Sequence, residues 1–380
     1  MTIIVTICIL LTLAYVALMV AYSRGWKHQP EFRLPVSFIP NTFISIIIPA
    51  RNERNNIGAC IDSILAQKYP ANLFEIIVID DHSTDGTADI VHEYHNPAVR
   101  CIALADHLEP GKQLNSYKKA ALAVGVNASN GTLIVTTDAD CIAPNAWLMN
   151  IACKYEQDKP DMIVAPVIFQ VTGGLLPIFQ LTDFMSMQGI TAAAHSMNLG
   201  RMSNGANLTF TKEIFERVKG YDGIDNLASG DDYLLMMKIA QEPGAKISYL
   251  KSEQAIMTTL PQPDWASFFN QRIRWASKSG KYSDNRLTAI LMLVYLYNVW
   301  FLFLAIAGFF HHDYWLLGGA MLIIKGFTEY LYMRPVVRFF HKQWVQVYFP
   351  FLQPLHIIYI TLAGLMGFIG NYKWKDRQVK

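Results

Sequence analysis

The stretch TTDAD places Asp138 and Asp140 two positions apart, directly after the apolar run GTLIV. In a strand, residues i and i+2 share a face, so this spacing predicts that both carboxylates point the same way. Like charges held that close repel unless a cation or hydrogen bonds compensate them. The pair therefore indicates a cation site, and the structural alternative is that these aspartates cap the helix that follows.

A second acidic pair, Asp80 and Asp81, ends another apolar run, FEIIVIDD. Around both pairs, short apolar runs alternate with helical patterns, which predicts a mostly parallel sheet covered on both faces in a doubly wound α/β domain. Ligands of such domains bind at the carboxyl ends of the strands, so both pairs are expected along one edge. Their hard oxygen atoms suit Mg²⁺ or Mn²⁺, which take one or two protein carboxylates and complete their shell with water and phosphates.

Two later motifs also combine charge with helical spacing. ASGDDYLLMMKIA places Asp231 and Asp232 at the start of a predicted helix, although Ser229 with Asp232 also resembles a capping box. DWASFFNQRIRWASKSGKY has the spacing of an amphipathic helix, and the alternative is an interfacial helix whose arginines reach the head groups. Residues 175–197 carry an apolar face that suits either a core or a membrane surface.

The composition predicts a membrane protein. Hydrophobic residues make up 52% of the chain and charged residues 16%, which is too apolar for an average soluble protein. Residues 2–22 carry no charge and can cross a hydrocarbon core of about 30 Å. They lack the basic start and short apolar core of a cleavable signal, so they are expected to form an anchor. Arg24, Lys27 and Arg33 follow, which predicts an external N-terminus and a cytoplasmic main domain.

The C-terminal third contains further predicted spans. Lys325 and Glu329, spaced i,i+4 in the second of them, are expected to pair inside the bundle. Three spans leave the basic residues 373–380 outside, against the charge rule, whereas a last segment broken at Pro350 and Pro354 would restore agreement, so the number of spans stays open. The predicted spans are 287–310, 314–333 and 345–370, and the predicted regions are an anchor at 1–23, a cytoplasmic domain at 40–283 and a C-terminal membrane region at 287–372.

Charge and cysteine usage exclude other classes. The formal net charge of +2 argues against nucleic acid as the main partner, because phosphate contacts need clustered Lys and Arg. The five cysteines are irregularly spaced with no CxxC, which indicates free thiols in a reducing compartment and no zinc site or disulfide framework.

Between residues 43 and 276, seven stretches follow one another in a characteristic order: SIIIPARNE, IDDHSTDGT, YKKAAL, TTDAD, SNGANLTF, SGDD and QRIRW. The set resembles the processive-type, inverting family 2 glycosyltransferases, which have the GT-A fold. A DxD triplet alone is a weak signal, but the ordered set ending in GDD and QxxRW is specific. QxxRW is shared by chitin, hyaluronan, cellulose and poly-N-acetylglucosamine synthases and by ceramide glucosyltransferases. The resemblance implies a Rossmann-like GT-A domain between transmembrane helices.

The resemblance also implies a role for each matching residue. His82 is a departure, because many relatives have glycine there, but it removes no ligand. Lys118 is expected near the nucleotide, and Lys119 is the less favoured candidate. The remaining roles are base and ribose binding by Asn52, Glu53, Asp80 and Asp81; diphosphate and metal binding by Asp138 and Asp140; acceptor-side contacts by Gly205, Ala206 and Asn207; substrate binding by Asp231; general-base catalysis by Asp232; and catalysis by Gln271, Arg274 and Trp275 of QxxRW.

The implied reaction is transfer of a sugar from a nucleotide-diphosphate sugar, expected to be a UDP-sugar, to a lipid or a growing β-linked glycan. It would need Mg²⁺ or Mn²⁺, a positioned base for the attacking hydroxyl and, in Trp275, a flat surface for an acceptor sugar. The expected location is a multi-pass bacterial inner membrane, and the expected partners include proteins for glycan export. The alternative is a non-catalytic nucleotide- or glycan-binding subunit of a polysaccharide synthesis complex, which predicts missing catalytic positions. A nucleotidyltransferase would favour a glycine-rich loop that PARNERNN lacks.

Overall fold

The computed structural model describes residues 1–109, 114–227, 229–277, 284–369, 372–374 and 377–379. The chain divides into two compact units. The sheet unit comprises Pro30–Gln170 and Met202–Leu260, and the helical unit comprises Met1–Gln29, Val171–Arg201 and Pro261–Val379.

The strands of the sheet unit are β1 (Ile44–Ala50), β2 (Phe74–Asp80), β3 (Val99–Ala103), β4 (Leu133–Thr136), β5 (Met162–Val164), β6 (Val167–Phe169), β7 (Leu208–Thr211), β8 (Ile247–Tyr249) and β9 (Met257–Thr259). Seven of them form one sheet of order β3-β2-β1-β4-β7-β5-β8. Strands β3, β2, β1 and β4 are parallel, whereas β7 runs antiparallel to both β4 and β5. A second, two-stranded sheet pairs β6 with β9.

The central strands are apolar on both faces. Ile46, Ile47 and Ile48 of β1 are all fully buried, and so are Ile76 and Ile77 of β2. A strand can bury successive residues only when both faces of its sheet are covered, which confirms the predicted mostly parallel α/β fold. The helices of this unit are α2 (Ile57–Leu65), α3 (Thr87–His92), α4 (Tyr117–Ala128), α5 (Trp147–Asp158), α7 (Lys212–Arg217) and α8 (Asp231–Gln241).

A buried polar cluster joins the amino ends of the central strands. Glu75 of β2 accepts hydrogen bonds from Ser45 Oγ at 2.7 Å, from the Asn130 backbone N–H at 2.6 Å and from Arg100 Nη2 at 2.7 Å. Burial alone would raise the pKa of Glu75, but these donors outweigh it, and the pKa of this carboxyl is lowered below its usual value. The carboxylate therefore ties three neighbouring segments together in its charged form.

The helical unit contains the apolar helices. Three of its described helices are long and apolar enough to cross a membrane: Thr2–His28, Asn285–Ala307 and Phe349–Gly367. The predicted span at 314–333 lies inside a longer helix that is not among these three. The helices of the unit are α1 (Thr2–His28), α6 (Leu175–Met197), α9 (Trp265–Ala276), α10 (Asn285–Ala307), α11 (Asp313–Phe339) and α12 (Phe349–Ile369).

The prolines of the last span do not break it. Helix α12 runs without interruption past both Pro350 and Pro354. Pro350 is its second residue, where proline costs little because the first backbone N–H groups of a helix lack intrahelical partners in any case. After it, the backbone of β10 (Tyr372–Trp374) pairs antiparallel with β11 (Arg377–Val379).

Two segments of the predicted 40–283 domain pack with the apolar helices instead. These are α6 and α9, and both belong to the helical unit. Their apolar patterns suited a core or a membrane surface, and the structure uses them in a core: Phe179 of α6 and Phe268 of α9 are buried in one cluster with Tyr359 of α12.

The predicted Lys325–Glu329 pair is confirmed. Lys325 Nζ lies 2.7 Å from Glu329 Oε1 on α11, and both side chains are buried. Gln353 of α12 accepts from Lys325 Nζ at 2.6 Å and donates to Glu329 Oε2 at 2.6 Å, and Tyr15 of α1 also donates to Glu329. Both charged groups thus have hydrogen-bond partners besides each other, which helps a buried charge pair to be tolerated.

Candidate functional site

The TTDAD acids lie on a turn and not on a strand. Strand β4 ends at Thr136, two residues before Asp138, so strand alternation does not orient the two carboxylates. The Cys141 backbone N–H donates to the Asp138 carbonyl at 3.1 Å and closes the turn. Burial, followed by the charges of Asp140 and Asp138, raises the pKa of the Cys60 thiol. The charges of both aspartates therefore act on the same buried thiol.

Helix capping does not account for the acidic pairs. The N-cap residues of α3, α5 and α8 are Gly86, Ala146 and Gly230, so none of the paired aspartates occupies such a position. The capping-box interpretation of Ser229 and Asp232 is wrong for the same reason, since α8 begins after Gly230. The paired aspartates are therefore available to bind a ligand.

Lys118 connects two of the acidic pairs. Its Nζ donates to Asp138 Oδ1 at 2.6 Å and lies 3.4 Å from Asp231 Oδ2. Burial alone would lower the pKa of Lys118, but the charges of Asp138 and Asp231 outweigh it and raise that pKa above its usual value. The ammonium is therefore charged, and it bridges the turn after β4 and the start of α8.

Asp232 lies against the backbone of Gly205. Its Oδ2 accepts from the Gly205 N–H at 3.2 Å, and its Oδ1 accepts from the Tyr233 N–H at 2.7 Å. A Cβ at position 205 would lie only 3.0 Å from Asp231 Oδ2, so a residue without a side chain suits this close approach. Burial, and then the charges of Asp231 and Asp232, raises the pKa of nearby Tyr221.

Five predicted site residues thus converge in the sheet unit. Lys118, Asp138, Gly205, Asp231 and Asp232 are linked by direct contacts, although their sequence positions span more than 100 residues. With Asp140 the group holds four carboxyl groups and one ammonium. Such an acidic cluster attracts cations.

Lys119, the less favoured lysine, has a different role. It is buried, and its Nζ donates to the carbonyls of Ile224 at 2.6 Å, Leu227 at 2.7 Å and Ser229 at 3.2 Å. It therefore holds the segment that leads into α8 and positions Asp231 and Asp232 indirectly.

Asn207 is fully buried and its amide group is occupied by protein partners. Its Oδ1 accepts from Trp147 Nε1 at 2.9 Å, and its Nδ2 donates to the Pro166 and Ala255 carbonyls at 2.8 and 2.9 Å. It supports the loop that carries Gly205 and Ala206.

The residues assigned to base and ribose binding lie on two loops that are tied together. Asn52 has a left-handed backbone, with φ of 52°, and its Oδ1 accepts from the Thr84 N–H at 2.9 Å. Its own N–H donates to Ser83 Oγ at 3.0 Å. Glu53 Oε2 accepts from Asn56 Nδ2 at 2.8 Å. The loops after β1 and β2 therefore form one surface.

Asp80 and Asp81 have different surroundings. Asp81 is buried and its Oδ1 lies 2.9 Å from His82 Nδ1. Asp80 accepts from the Ser83 N–H at 3.3 Å through Oδ2, while its buried Oδ1 finds no hydrogen-bond partner among the described residues. His82 has a left-handed φ of 55°, a conformation that glycine adopts at lower cost than a residue with a Cβ.

The QxxRW residues lie on α9 in the helical unit. The amphipathic helix is confirmed, but Arg272 does not reach outward as the interfacial interpretation expects, because its side chain is only 2% exposed. It donates to Gln271 Oε1 at 3.2 Å and its guanidinium lies 4.2 Å from the Trp275 ring centroid. Sequence reasoning missed Arg272 because its buried partner, Asp183, lies far away in the chain.

The acids after β4 fit a divalent cation that needs few protein ligands. No group of three or more His, Cys, Asp or Glu side chains within the described part of the chain has the arrangement of a complete metal cage. Mg²⁺ and Mn²⁺ sites that are completed by substrate phosphates use only one or two carboxylates, and Asp138 and Asp140 supply that number.

Comparison with known proteins identifies the family. Residues 45–176 match the model of glycosyl transferase family 2, and residues 133–367, more than half of the chain, match that of glycosyl transferase family group 2. The chain belongs to the family 2 glycosyltransferases.

Relatives of this family 2 member come from archaea and bacteria. It is 28% identical over 193 residues to glycosyltransferase AglE of Haloferax volcanii, a match that covers 50% of this chain and 59% of AglE. It is 30% identical over 176 residues to a dolichyl N-acetyl-α-D-glucosaminyl phosphate 3-β-D-2,3-diacetamido-2,3-dideoxy-β-D-glucuronosyltransferase of Methanococcus voltae, covering 46% of this chain and 49% of that enzyme. The chain thus spans about half to three fifths of these relatives.

A solved structure supports the fold. The mannosyltransferase PcManGT of Pyrobaculum calidifontis, solved with GDP-Man and Mn²⁺, superposes with a TM-score of 0.57 over 95% of this chain and 99% of PcManGT, at 19% identity. The chain therefore has the GT-A fold.

Proposed function

We propose that this protein is a membrane-bound, inverting glycosyltransferase that moves a sugar from a nucleotide-diphosphate sugar to a lipid or to a growing β-linked glycan. The observation that carries this proposal is the contact network of Lys118, Asp138, Gly205, Asp231 and Asp232 at the edge of the sheet. This network brings together Lys118 and Asp138, which can bind phosphate directly or through a cation, and the carboxylate of Asp232, which can accept a proton.

The donor nucleotide would bind to the loops after β1 and β2. Asp80 Oδ1, which has no hydrogen-bond partner in the described part of the chain, is a ready acceptor for an N–H group of the base, because a buried acceptor without a partner is costly. A UDP-sugar is the first candidate donor. The GDP-Man in the PcManGT structure makes a GDP-sugar the necessary comparison.

Asp138 and Asp140 would hold Mg²⁺ or Mn²⁺, which when bound supplies Lewis-acid stabilisation to the departing diphosphate. Lys118 donates a hydrogen bond to Asp138 and would add a second positive charge beside the phosphates. Its contact with Asp231 limits the directions in which the ammonium can point. The cation and the Lys118 ammonium would thus stabilise the negative charge that develops on the leaving diphosphate.

Asp232 would accept the proton of the attacking hydroxyl. The N–H groups of Gly205 and Tyr233 fix its carboxylate, so it is oriented before the acceptor arrives. A positioned base contributes about 10² to 10⁴ in rate. Attack opposite the leaving group inverts the anomeric centre, so an α-linked donor gives a β product. On the basis of the QxxRW motif, we assign Gln271 and Trp275 to acceptor binding. We assign Arg274 to stabilising the negative charge of the leaving group.

A lipid-linked hydroxyl is the favoured acceptor. One relative is named for a dolichyl phosphate-linked sugar, and another, 27% identical over 38% of this chain, is a β-monoglucosyldiacylglycerol synthase of Nostoc. The three apolar helices would place such an enzyme in the membrane where these acceptors reside. By the positive-inside rule, its sheet unit would lie on the cytoplasmic side.

The test is a product screen with the full chain in detergent. Purified protein receives Mn²⁺, lipid extract and a panel of radiolabelled UDP- and GDP-sugars, and products are separated by chromatography and weighed by mass spectrometry. One lipid-soluble product indicates single transfer, and a ladder of lengths indicates polymerisation. Nucleotide binding without transfer from any donor would contradict the proposal and favour the non-catalytic subunit.

A further inference from the structure

Arg272 lies within the QxxRW motif without being one of its defining residues. Its Nη1 donates to Gln271 Oε1 at 3.2 Å, and its guanidinium carbon lies 4.2 Å from the Trp275 ring centroid and 4.9 Å from that of Phe268. One buried side chain therefore contacts two of the three motif side chains on α9.

Asp183 of α6 fixes the guanidinium from the other side. Arg272 Nη2 lies 2.9 Å from Asp183 Oδ2, and both side chains are at most 4% exposed. Tyr359 of α12 donates to the same carboxylate at 3.4 Å, and His356 Nε2 lies 3.6 Å from its other oxygen. The ion pair with Asp183 therefore holds the guanidinium on the α6 side by charge, while Nε and Nη2 make no hydrogen bond of good geometry among the described residues.

The indole of Trp275 is also enclosed on the α6 side. Phe184, the residue after Asp183, lies with its ring centroid 6.3 Å from the Trp275 ring, tilted by 33°. Two consecutive residues of α6 thus act on the motif, one through Arg272 and one directly.

We propose that Arg272, held by Asp183, is a positioning residue that sets the side chains of Gln271 and Trp275 for the acceptor. This inference rests on the proposed function, in which QxxRW serves the acceptor side. Only arginine has a planar fork that can pair with a carboxylate, donate to an amide and stack on an indole at once. Lysine offers a point charge and would satisfy the aspartate alone.

The helical unit contains a matched control. Lys325 and Glu329 form a second buried ion pair of similar length, 2.7 Å, whose described hydrogen bonds go to Gln353 and Tyr15. Loss of this pair breaks a buried charge pair whose described hydrogen bonds include none of Gln271, Arg272 and Trp275.

The experiment compares Arg272→Lys, Asp183→Asn and the control Glu329→Gln in the full chain. Acceptor kinetics are measured on phosphatidylcholine vesicles that carry diacylglycerol and a polyprenyl phosphate-linked sugar, donor affinity by calorimetry and Tm by thermal unfolding. We expect kcat/KM for the acceptor to fall about 10- to 100-fold in the first two variants, the scale known for losing a residue that orients a metal ligand. Their donor affinity should stay unchanged, and Glu329→Gln should lower Tm without this acceptor defect.

Equal acceptor kinetics in Arg272→Lys and Glu329→Gln at matched folded fraction would overturn the inference, and so would a parallel loss of donor affinity. A wild-type protein that transfers nothing would instead refute the proposed function. In that case ¹⁹F NMR of 5-fluorotryptophan-labelled protein tests whether Arg272 positions the Trp275 side chain. The Trp275 signal is assigned by its loss in Trp275→Phe. A shift in Arg272→Lys but not in Glu329→Gln supports positioning, and an unchanged signal overturns it.

Discussion

Asp232 can be tested by a change that removes its basicity and keeps its size. Asp232→Asn keeps one acceptor oxygen for the Gly205 N–H and gives up the hydrogen bond that Oδ1 accepts from the Tyr233 N–H. We expect transfer to fall by at least about 10²-fold because the base is lost, while donor affinity persists because the phosphate-side groups remain. Initial rates and calorimetric donor titration check this, with exposed Asp106→Asn as control. Full turnover in Asp232→Asn would refute the base assignment.

His82 tests backbone strain in the loop after β2. Its φ of 55° lies in the left-handed region, which costs a residue with a Cβ about 1–2 kcal/mol relative to glycine. Both His82→Gly and His82→Ala remove the contact with Asp81, so comparing them isolates the strain. We expect the glycine variant to be more stable than the alanine variant by about 1 kcal/mol in denaturant unfolding. An alanine variant of equal or greater stability would show that the loop is not strained.

At the scale of elements, Glu75 ties β1, β2 and the segment before β4 together. Its lowered pKa means that the folded state binds its proton less readily than the unfolded state does. The stabilisation is therefore present above the usual glutamate range and is lost as pH falls through the lowered pKa.

Glu75→Gln should consequently destabilise the protein at pH 7 by about 1.5–3 kcal/mol, the range for hydrogen bonds to a charged group. The gap to wild type should narrow as the pH falls below the usual glutamate range. Unfolding curves at several pH values measure this, with exposed Glu213→Gln as control. A gap that is independent of pH would contradict the ionised state of Glu75.

Periodicity predicted the elements better than their ends and directions. The apolar runs of β1, β2 and β4 were enough to predict a mostly parallel sheet with acids at one edge. The run before Asp138 does not reveal that β4 stops at Thr136, because strand ends are set by the pairing partner, here the short antiparallel β7. A four-residue run such as that of β7 carries no sign of its direction.

The sequence likewise predicted which residues belong to the candidate site better than it predicted their contacts. Motif order led to Asp138, Asp231 and Asp232, but the contact of Lys118 with two of them depends on tertiary packing. Arg272 looked like a surface arginine because charge on an amphipathic helix usually faces water. Its burial depends on Asp183, which no local pattern connects to α9.

For the whole molecule, the charge pattern predicts a definite topology. The basic residues after α1 predict an external N-terminus and a cytoplasmic sheet unit. A tag before Thr2 should therefore be accessible to protease in intact cells, while a cysteine introduced at exposed Asp106 should react with an impermeant maleimide only after lysis. The protein should also resist extraction by carbonate and dissolve in detergent. Reaction of a cysteine at position 106 with the maleimide in intact cells would contradict this topology.

The most direct test of the central claim is calorimetric titration of the full chain with UDP-sugar and GDP-sugar, with and without Mn²⁺. If Asp138 and Asp140 hold the cation that grips the diphosphate, wild-type affinity for one donor rises with Mn²⁺, and Asp140→Ala loses that rise while Asp106→Ala keeps it. Donor affinity that depends equally on Mn²⁺ in wild type and Asp140→Ala would contradict the account.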